Sequence, residues 1–305
     1  MIRLGLVGIG KIARDQHVPA LANSGDFDLA ATASRHGRVE GVESHSTVAA
    51  MLAARPDIRA VSLCTPPAGR FEQALDVIRA GRDLMLEKPP AATVSEVEAL
   101  AQEARRQGTV LFTTWHSREA AEIDAARDWL AGRRIDAVRI RWMENIRQWH
   151  PGQDWILAAG GFGVFDPGIN ALSIATRILP SPLTVLDAVL EVPSNRASPI
   201  AAQIRFRTGD ATGDARLDFL QTGQQTWDIE VDTDAGMLRL GMGGSVLELP
   251  GEIPISGENQ EYPRLYSRFA ELVRSRQSDV DLRPLQFVAD AFMIADRRIV
   301  QPFEF

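Results

Sequence analysis

Over the first 117 residues, short apolar runs alternate with stretches in which apolar residues recur every three or four positions. The runs 3–7, 28–34, 60–65, 83–87 and 109–115 have strand length and are rich in Val, Leu, Ala and Thr. The stretches between them, 11–23, 47–54, 69–80 and 94–107, read as helices, with Ser46 and Thr93 as expected N-caps and Gly81 and Gly108 as expected stops. Pro19 predicts that the first helix is broken in two, because its ring blocks the hydrogen bond of a continuing helix. Regular alternation of this kind predicts a parallel sheet covered on both faces.

After residue 118 the period shortens. A helix is expected over 119–131, followed by period-two segments at 136–145, 184–192, 200–208, 212–221, 226–233 and 236–240, joined by turns rich in Gly and Asp. These predict a large, mostly antiparallel sheet, with two further helices at 262–276 and 285–300. An open sheet leaves one face to be covered, so a homo-oligomer formed through that face is expected.

Candidate chemistry begins at the first strand. Gly8-Ile9-Gly10-Lys11-Ile12-Ala13 follows it directly, giving strand, glycine turn and helix start in succession. This is the pattern that holds a dinucleotide pyrophosphate at a helix N-terminus, and it points to Gly8, Gly10, Lys11 and Ile12 as cofactor contacts. The spacing alone also fits an ordinary βα turn; its place after a first strand favours the nucleotide. The chain therefore reads as an α/β Rossmann domain over 1–117, followed over 118–305 by an α+β domain for substrate binding and oligomerisation. The helix 285–300 is a candidate to pack back on the first domain.

In such a sheet, ligands bind at the carboxyl ends of the strands. The second strand ends at Ser34-Arg35-His36, with no acid to hold a ribose 2′-hydroxyl. Ser34 and Arg35 suit a 2′-phosphate instead, so NADP is the expected cofactor, with NAD also accepted; a solvated loop arginine is the alternative for Arg35. The next two strand ends carry Thr65-Pro66-Pro67 and Glu87-Lys88-Pro89-Pro90, whose prolines make rigid walls. Lys88 is placed to reach a substrate oxygen, although a surface lysine beside Glu87 fits the same spacing.

Composition narrows the partners. The 305 residues are 45% hydrophobic and 24% charged with net charge −7, which fits a soluble two-domain protein and argues against nucleic acid or an anionic membrane as partner. The most apolar stretch, Trp155 to Leu179, is interrupted by Gly160-Gly161, Asp166-Pro167 and Arg177, so it is not expected to span a bilayer. Cys64 is the single cysteine, and the first strand begins at residue 2 or 3, leaving no room for a signal peptide. A cytoplasmic location is the expectation. The five histidines and the cysteine show no metal-ligand spacing, so no metal is expected.

Taken together, the glycine turn, Thr65-Pro66 and Glu87-Lys88-Pro89 resemble the Gfo/Idh/MocA family of nicotinamide-dependent sugar and polyol dehydrogenases. The resemblance extends over the whole chain, including the change of texture near residue 118. It implies that Lys88 touches the reacting oxygen, and that Thr65, Pro66, Pro67, Glu87 and Lys88 line the cofactor. The family's second signature, Asp-x-Gly-x-His at the start of a helix, corresponds to Asp166-Pro167-Gly168-Ile169-Asn170. Asp166 and Asn170 are four apart and share a helix face. Asp before Pro is also a favoured N-cap and N1 pair, and one carboxylate can serve both purposes.

Asn170 departs from the family pattern, since an amide cannot exchange a proton near neutral pH; the proton then falls to Asp166 or Lys88. Members with asparagine here resemble aldose 1-dehydrogenases acting on L-arabinose or D-galactose, as does the stretch Glu144-Asn145-Ile146-Arg147-Gln148-Trp149-His150-Pro151. That likeness implies Glu144 and His150 as partners of ring hydroxyls and Trp149 as a flat face for sugar C–H bonds, with His116 a further candidate. Taken singly, each of these reads more readily as a structural residue than as a ligand contact. Arg70 stands where many members carry histidine and receives no role. The implied activity is oxidation of the anomeric carbon of an aldose to the aldonolactone, with Lys88, Asp166 and Asn170 catalytic. The alternatives are another sugar or polyol dehydrogenase of the family, or a nucleotide-binding, sugar-responsive regulator without turnover.

Overall fold

The computed structural model describes residues 1–305. Six parallel strands, β1 (Ile2–Val7), β2 (Phe27–Ala33), β3 (Glu43–His45), β4 (Ala60–Leu63), β5 (Asp83–Leu86) and β6 (Leu111–Thr113), form one sheet in the order β3-β2-β1-β4-β5-β6. The order reverses between β1 and β4, which places the glycine turn at the switch point where such sheets bind ligands. Both faces are buried: β4 and β5 have no exposed residue. This explains their unbroken apolar pattern. The short edge strand β3 carries too few apolar residues, Glu43-Ser44-His45, to signal itself in the sequence.

Local signals decide where the helices begin and end. Thr93 caps Val94–Gln107 with a complete capping box to Glu96, and Gly108 ends it in the left-handed conformation. At the preceding helix, Thr47 rather than the expected Ser46 is the cap, its hydroxyl accepting from the Ala50 N–H at 3.1 Å. Pro19 does not break the first helix. A π-helical turn, Ala13–His17, leads without interruption into Val18–Ala22, and Pro19 falls in the first turn of the latter, where its missing donor costs little.

The chain divides into two compact units: Met1–His116 with Glu261–Leu282, and Ser117–Gln260 with Arg283–Phe305. The helix Glu261–Ser275, expected in the second domain, thus belongs with the first. Its apolar face, Tyr262, Leu265, Tyr266, Phe269 and Val273, is buried with Leu4, Leu6 and Phe27 of the parallel sheet. Phe269 stacks on Phe27 at 5.5 Å, and the backbone of Asp279 pairs with Leu111 and Thr113 beside β6. The helical period announced the helix, but not which sheet it covers.

The second unit is built on nine strands: β7 (Ile135–Met143), β8 (Leu183–Pro193), β9 (Ala201–Thr208), β10 (Ala211–Asp218), β11 (Thr226–Thr233), β12 (Gly236–Gly241), β13 (Val246–Glu248), β14 (Ile255–Ser256) and β15 (Asp296–Val300). Their order is β14-β13-β12-β11-β7-β10-β9-β8-β15. The sheet is mixed: β7 with β10 and β8 with β15 are parallel, and the other pairs antiparallel.

The helix expected at 285–300 ends at Ile294, and its last part is the strand β15. Ile299 and Val300 are β-branched, and the free edge of β8 offers hydrogen-bond partners to an extended segment. This helix, Arg283–Ile294, packs on β8 and on the helix Phe165–Ile178 of its own unit. The helix expected at 119–131 spans only Ile123–Leu130, after a 3₁₀ turn at His116–Glu119.

One face of this sheet carries apolar Val138, Ile140, Trp142, Ile229 and Val231 inward. On the other, Arg139 binds Glu230 at 2.8 Å and Asp232 at 2.7 Å, Arg239 binds Asp228 at 2.8 Å, and Arg141 binds Asp214. Cross-strand ion pairs of this kind suit an open polar face. No helix of the protein is long and apolar enough to cross a membrane.

Candidate active site

Gly8 leaves β1 with φ +85, and a Cβ there would lie 2.8 Å from the Thr65 backbone nitrogen, so only glycine fits. Gly10 is exposed, with open space where its side chain would be, and the helical turn starts just beyond it. Ala13 is fully buried, as close helix–sheet packing requires. This geometry fits a dinucleotide pyrophosphate: room at Gly10, free N–H groups at a helix start, and no bulky side chain between. Lys11 and Ile12 are exposed at the same turn, and Lys11 pairs with Asp15.

At the end of β2, the Ser34 hydroxyl accepts from the Gly37 N–H at 3.1 Å, shaping a loop that presents Arg35 and His36 to solvent. At the end of β4, the Thr65 hydroxyl donates to Gln73 at 3.1 Å; Pro66 is exposed and Pro67 buried, so of the two prolines only Pro66 faces outward.

The Glu87 side chain is 3% exposed and turned into the protein, so any contact of this residue with a cofactor would fall to its backbone. Its Oε1 accepts from the Tyr262 hydroxyl at 2.5 Å and lies 3.2 Å from His17 Nε2, while Oε2 accepts the Lys88 backbone N–H at 2.5 Å. Burial alone would raise its carboxyl; the hydrogen bond and charge of His17, the charge of His116 and the Tyr262 hydroxyl outweigh burial and hold it well below the usual carboxylate range. His17 is fully buried, which by itself would lower it, but Cys64, Tyr266 and Glu87 raise it well above the ordinary histidine value. Its Nδ1 lies 2.8 Å from the Tyr266 hydroxyl. Burial and the Glu87 charge push Tyr262 up, so it stays a donor. His116 stacks on Tyr262 at 5.4 Å and its Nδ1 lies 2.8 Å from Glu261.

Arg70, to which the sequence assigned nothing, is also buried. Its guanidinium donates to the carbonyls of Thr65, Glu87 and Pro89, the first through Nε at 2.8 Å. Lys88 itself is half-buried at the end of β5, and the Lys88–Pro89 bond is cis.

In the second unit, Asp166 and Asn170 lie on the helix Phe165–Ile178. This helix starts two residues earlier than an Asp166 cap requires. Val164 occupies the cap position without a side-chain bond, and Asp166 lies in the first turn, 5% exposed. A carboxyl group in the first turn lies at the positive end of the helix dipole. Gly168 allows the helix to approach the sheet, since a Cβ would meet the Leu217 side chain at 2.6 Å. Asn170 is half-buried, and its backbone carbonyl accepts from Ser173 at 2.7 Å.

Glu144, just beyond β7, is 2% exposed and accepts from Trp227 Nε1 at 2.9 Å; its other oxygen is 2.8 Å from His150 Nε2. It therefore orients His150, with lone pairs left for a further donor. Trp149 tilts against Trp227 at 4.8 Å, and Trp227 stacks on Trp142 at 5.8 Å. Sequence reasoning thus missed His17, Arg70, Tyr262 and Trp227. The buried spacing from Ala13 to His17, one helical turn, was the only local signal for any of them.

Residues 2–114 match the model of an oxidoreductase family with an NAD-binding Rossmann fold. Over 305 residues the chain is 43% identical to galactose 1-dehydrogenase of Pseudomonas fluorescens, covering 99% of this chain and 98% of that protein. The crystal structure of D-galactose-1-dehydrogenase from Rhizobium etli is 53% identical and superimposes with a TM-score of 0.95, over 99% of this chain and 98% of that one. A 3-ketoreductase from Actinomadura kijaniata crystallised with NADP shares the fold at 21% identity, with a TM-score of 0.85 over 99% of both chains. The chain belongs to the Gfo/Idh/MocA family of oxidoreductases.

Proposed function

We propose that this protein is an NAD(P)-dependent aldose 1-dehydrogenase, converting D-galactose- and L-arabinose-type sugars to their aldonolactones. The observation that carries the reading is a single chain similar from end to end to two galactose 1-dehydrogenases that also keeps Lys88 at a strand end and Asp166 and Asn170 on one helix face. When bound, the nicotinamide accepts the hydride that leaves the anomeric carbon. Asp166 takes the proton of the anomeric hydroxyl, so the C–O bond becomes a carbonyl. The Lys88 ammonium steadies the oxygen as its negative charge develops, and the Asn170 amide orients that oxygen without exchanging a proton. His150, fixed by Glu144, binds ring hydroxyls, and Trp149 offers its face to ring C–H bonds. His116 is a further sugar contact in this reading.

The cofactor side is held by Gly8, Gly10, Lys11 and Ile12 at the pyrophosphate, and by Thr65, Pro66 and Lys88 beside the nicotinamide. Ser34 and Arg35 favour NADP: the loop after β2 has no acid, and Arg35 is exposed there. We place the enzyme in the cytoplasm as a homo-oligomer joined through the ion-paired open face of the nine-stranded sheet. The test is absorbance of the reduced nicotinamide when protein and NADP⁺ are mixed with D-galactose, L-arabinose or D-glucose. Reduction with the first two supports the reading; a chain that binds NADP yet reduces it with no aldose is a regulator or acts on another class of polyol.

A further inference from the structure

We propose that Arg70 and Glu87 are a pair of buried, oppositely charged positioning residues that set Lys88 for its reaction, with His17 and Tyr262 holding Glu87 in place. The inference rests on the role given to Lys88 above and extends it to residues with no assigned part. The contacts surround the backbone of one residue. The N–H of Lys88 is bound by Glu87 Oε2, while the carbonyls of Glu87 before it and Pro89 after it are both bound by Arg70.

Both clamping groups are themselves anchored. Arg70 reaches from the start of the helix Arg70–Arg79 and also holds the Thr65 carbonyl past the end of β4. Glu87 is tied to His17, in the helical segment that follows the glycine turn, and to Tyr262, on the helix that covers the sheet. The brace therefore links three carriers of cofactor-binding residues, the first glycine turn, the end of β4 and the end of β5, to the backbone of Lys88.

Stability alone is a poor account of this arrangement. Arg70, Glu87 and His17 are 2%, 3% and 0% exposed, and taking charges out of water costs about as much as their pairing returns. A well-packed apolar cluster could fill the same volume at no energetic loss. What apolar side chains cannot do is fix a backbone N–H and two carbonyls, each of which needs a partner of defined direction. A long lysine side chain has several rotatable bonds, so its ammonium is placed only as well as its backbone is.

The test uses the full-length enzyme with NADP⁺ and D-galactose. Arg70→Met keeps the stem and removes the donors; Arg70→Lys restores a cation; Tyr262→Phe removes a single hydroxyl and guards against a variant that fails to fold. Each is made alone and on a Lys88→Ala background, and turnover, sugar KM and NADP affinity by tryptophan fluorescence are measured. Residues acting through one group give non-additive losses. Arg70→Met is expected to lower kcat by roughly tenfold or more, with sugar KM and NADP affinity within about twofold, and Arg70→Lys to recover part of it. Tyr262→Phe is expected to show the same pattern more weakly.

On the Lys88→Ala background, either change should cost less than about twofold. A full further loss there, a loss confined to KM, or unchanged turnover in both Arg70→Met and Tyr262→Phe overturns the brace while leaving Lys88 its role. If Lys88→Ala itself turns over normally, the role of Lys88 falls, and the brace with it.

Discussion

The two units spend buried charge differently. In the first, Glu87 and Arg70 bind backbone atoms around Lys88, and the charged groups themselves are hidden. In the second, buried Glu144 binds side chains, His150 and Trp227, while His150, Trp149 and Asn170 stay half-buried. A parallel sheet delivers its chemistry on loops at strand ends, and a loop needs its backbone fixed before a lysine on it can be precise. The second unit presents its groups from a helix and from the short segment after β7, whose backbone is already hydrogen-bonded. There it is the orientation of individual rings that remains to be set. Hence substitutions in the first unit should disturb cofactor use or the placing of Lys88, and substitutions in the second should disturb the binding of the sugar or the removal of its proton.

The largest effect expected tests the second unit. Asp166→Asn keeps the size and the helix start but removes the proton acceptor, so turnover should fall by roughly 10²–10⁴-fold with little change in Tm. Val164, not Asp166, holds the cap position, and a variant that loses stability and keeps turnover would show the Asp166 carboxylate to be structural.

Arg35→Ala probes the first unit and should raise the KM for NADP far more than that for NAD, because only NADP loses a charge-assisted partner worth about 1.5–3 kcal/mol. Sugar KM should not move. Equal losses with both cofactors would take the 2′-phosphate away from Arg35.

Selectivity at C4 sharpens the comparison further. D-galactose and L-arabinose share their configuration at C2, C3 and C4, so both should be oxidised with comparable kcat/KM. D-glucose, inverted at C4, should be worse by at least about tenfold, roughly 1.4 kcal/mol. Glu144→Gln should narrow that gap, since a neutral amide orients His150 less firmly, without changing NADP affinity. Equal use of glucose and galactose by the unaltered enzyme would mean that C4 is not read.

The smallest effect is one of stability. Glu87 titrates below its ordinary value in the folded chain, so its stabilisation is complete above the unfolded value near pH ~4 and is lost as the pH falls from there toward the depressed folded value. The Tm difference between wild type and Glu87→Gln should therefore be a few degrees at neutral pH and should narrow below about pH 4. A gap that widens in acid would contradict an ionised Glu87.

Much of the first unit was legible in its residues. Gly8 must be glycine because Thr65 crowds it, and such a constraint is visible as a motif. Thr93, Glu96 and Gly108 similarly declare one helix by local hydrogen bonding. What the residues do not declare is tertiary partnership. His17 and Tyr262 are 245 positions apart, yet they meet on one carboxylate, and nothing in either neighbourhood announces the other. Arg70 looks like any arginine at a helix start until three carbonyls are seen around it.

In the second unit, the period of two gave the strands β7 to β12, but the very short β13 and β14 offer too few positions for any period to show. Strand β15 was hidden at the end of a helical pattern. Asp166, Asn170 and the Glu144–His150 segment were found through family resemblance, because no spacing rule joins residues on a helix to residues following a strand.

The central claim is oxidation at the anomeric carbon, and a sugar without a free anomeric hydroxyl tests it most directly. Reduction of NADP⁺ should be measured with D-galactose and with methyl β-D-galactoside, which keeps every ring hydroxyl except the one at C1. The account predicts turnover of galactose, with the galactonolactone as product by NMR, and none of the glycoside. Oxidation of the glycoside at a rate near that of galactose would place the chemistry at another carbon and contradict the account.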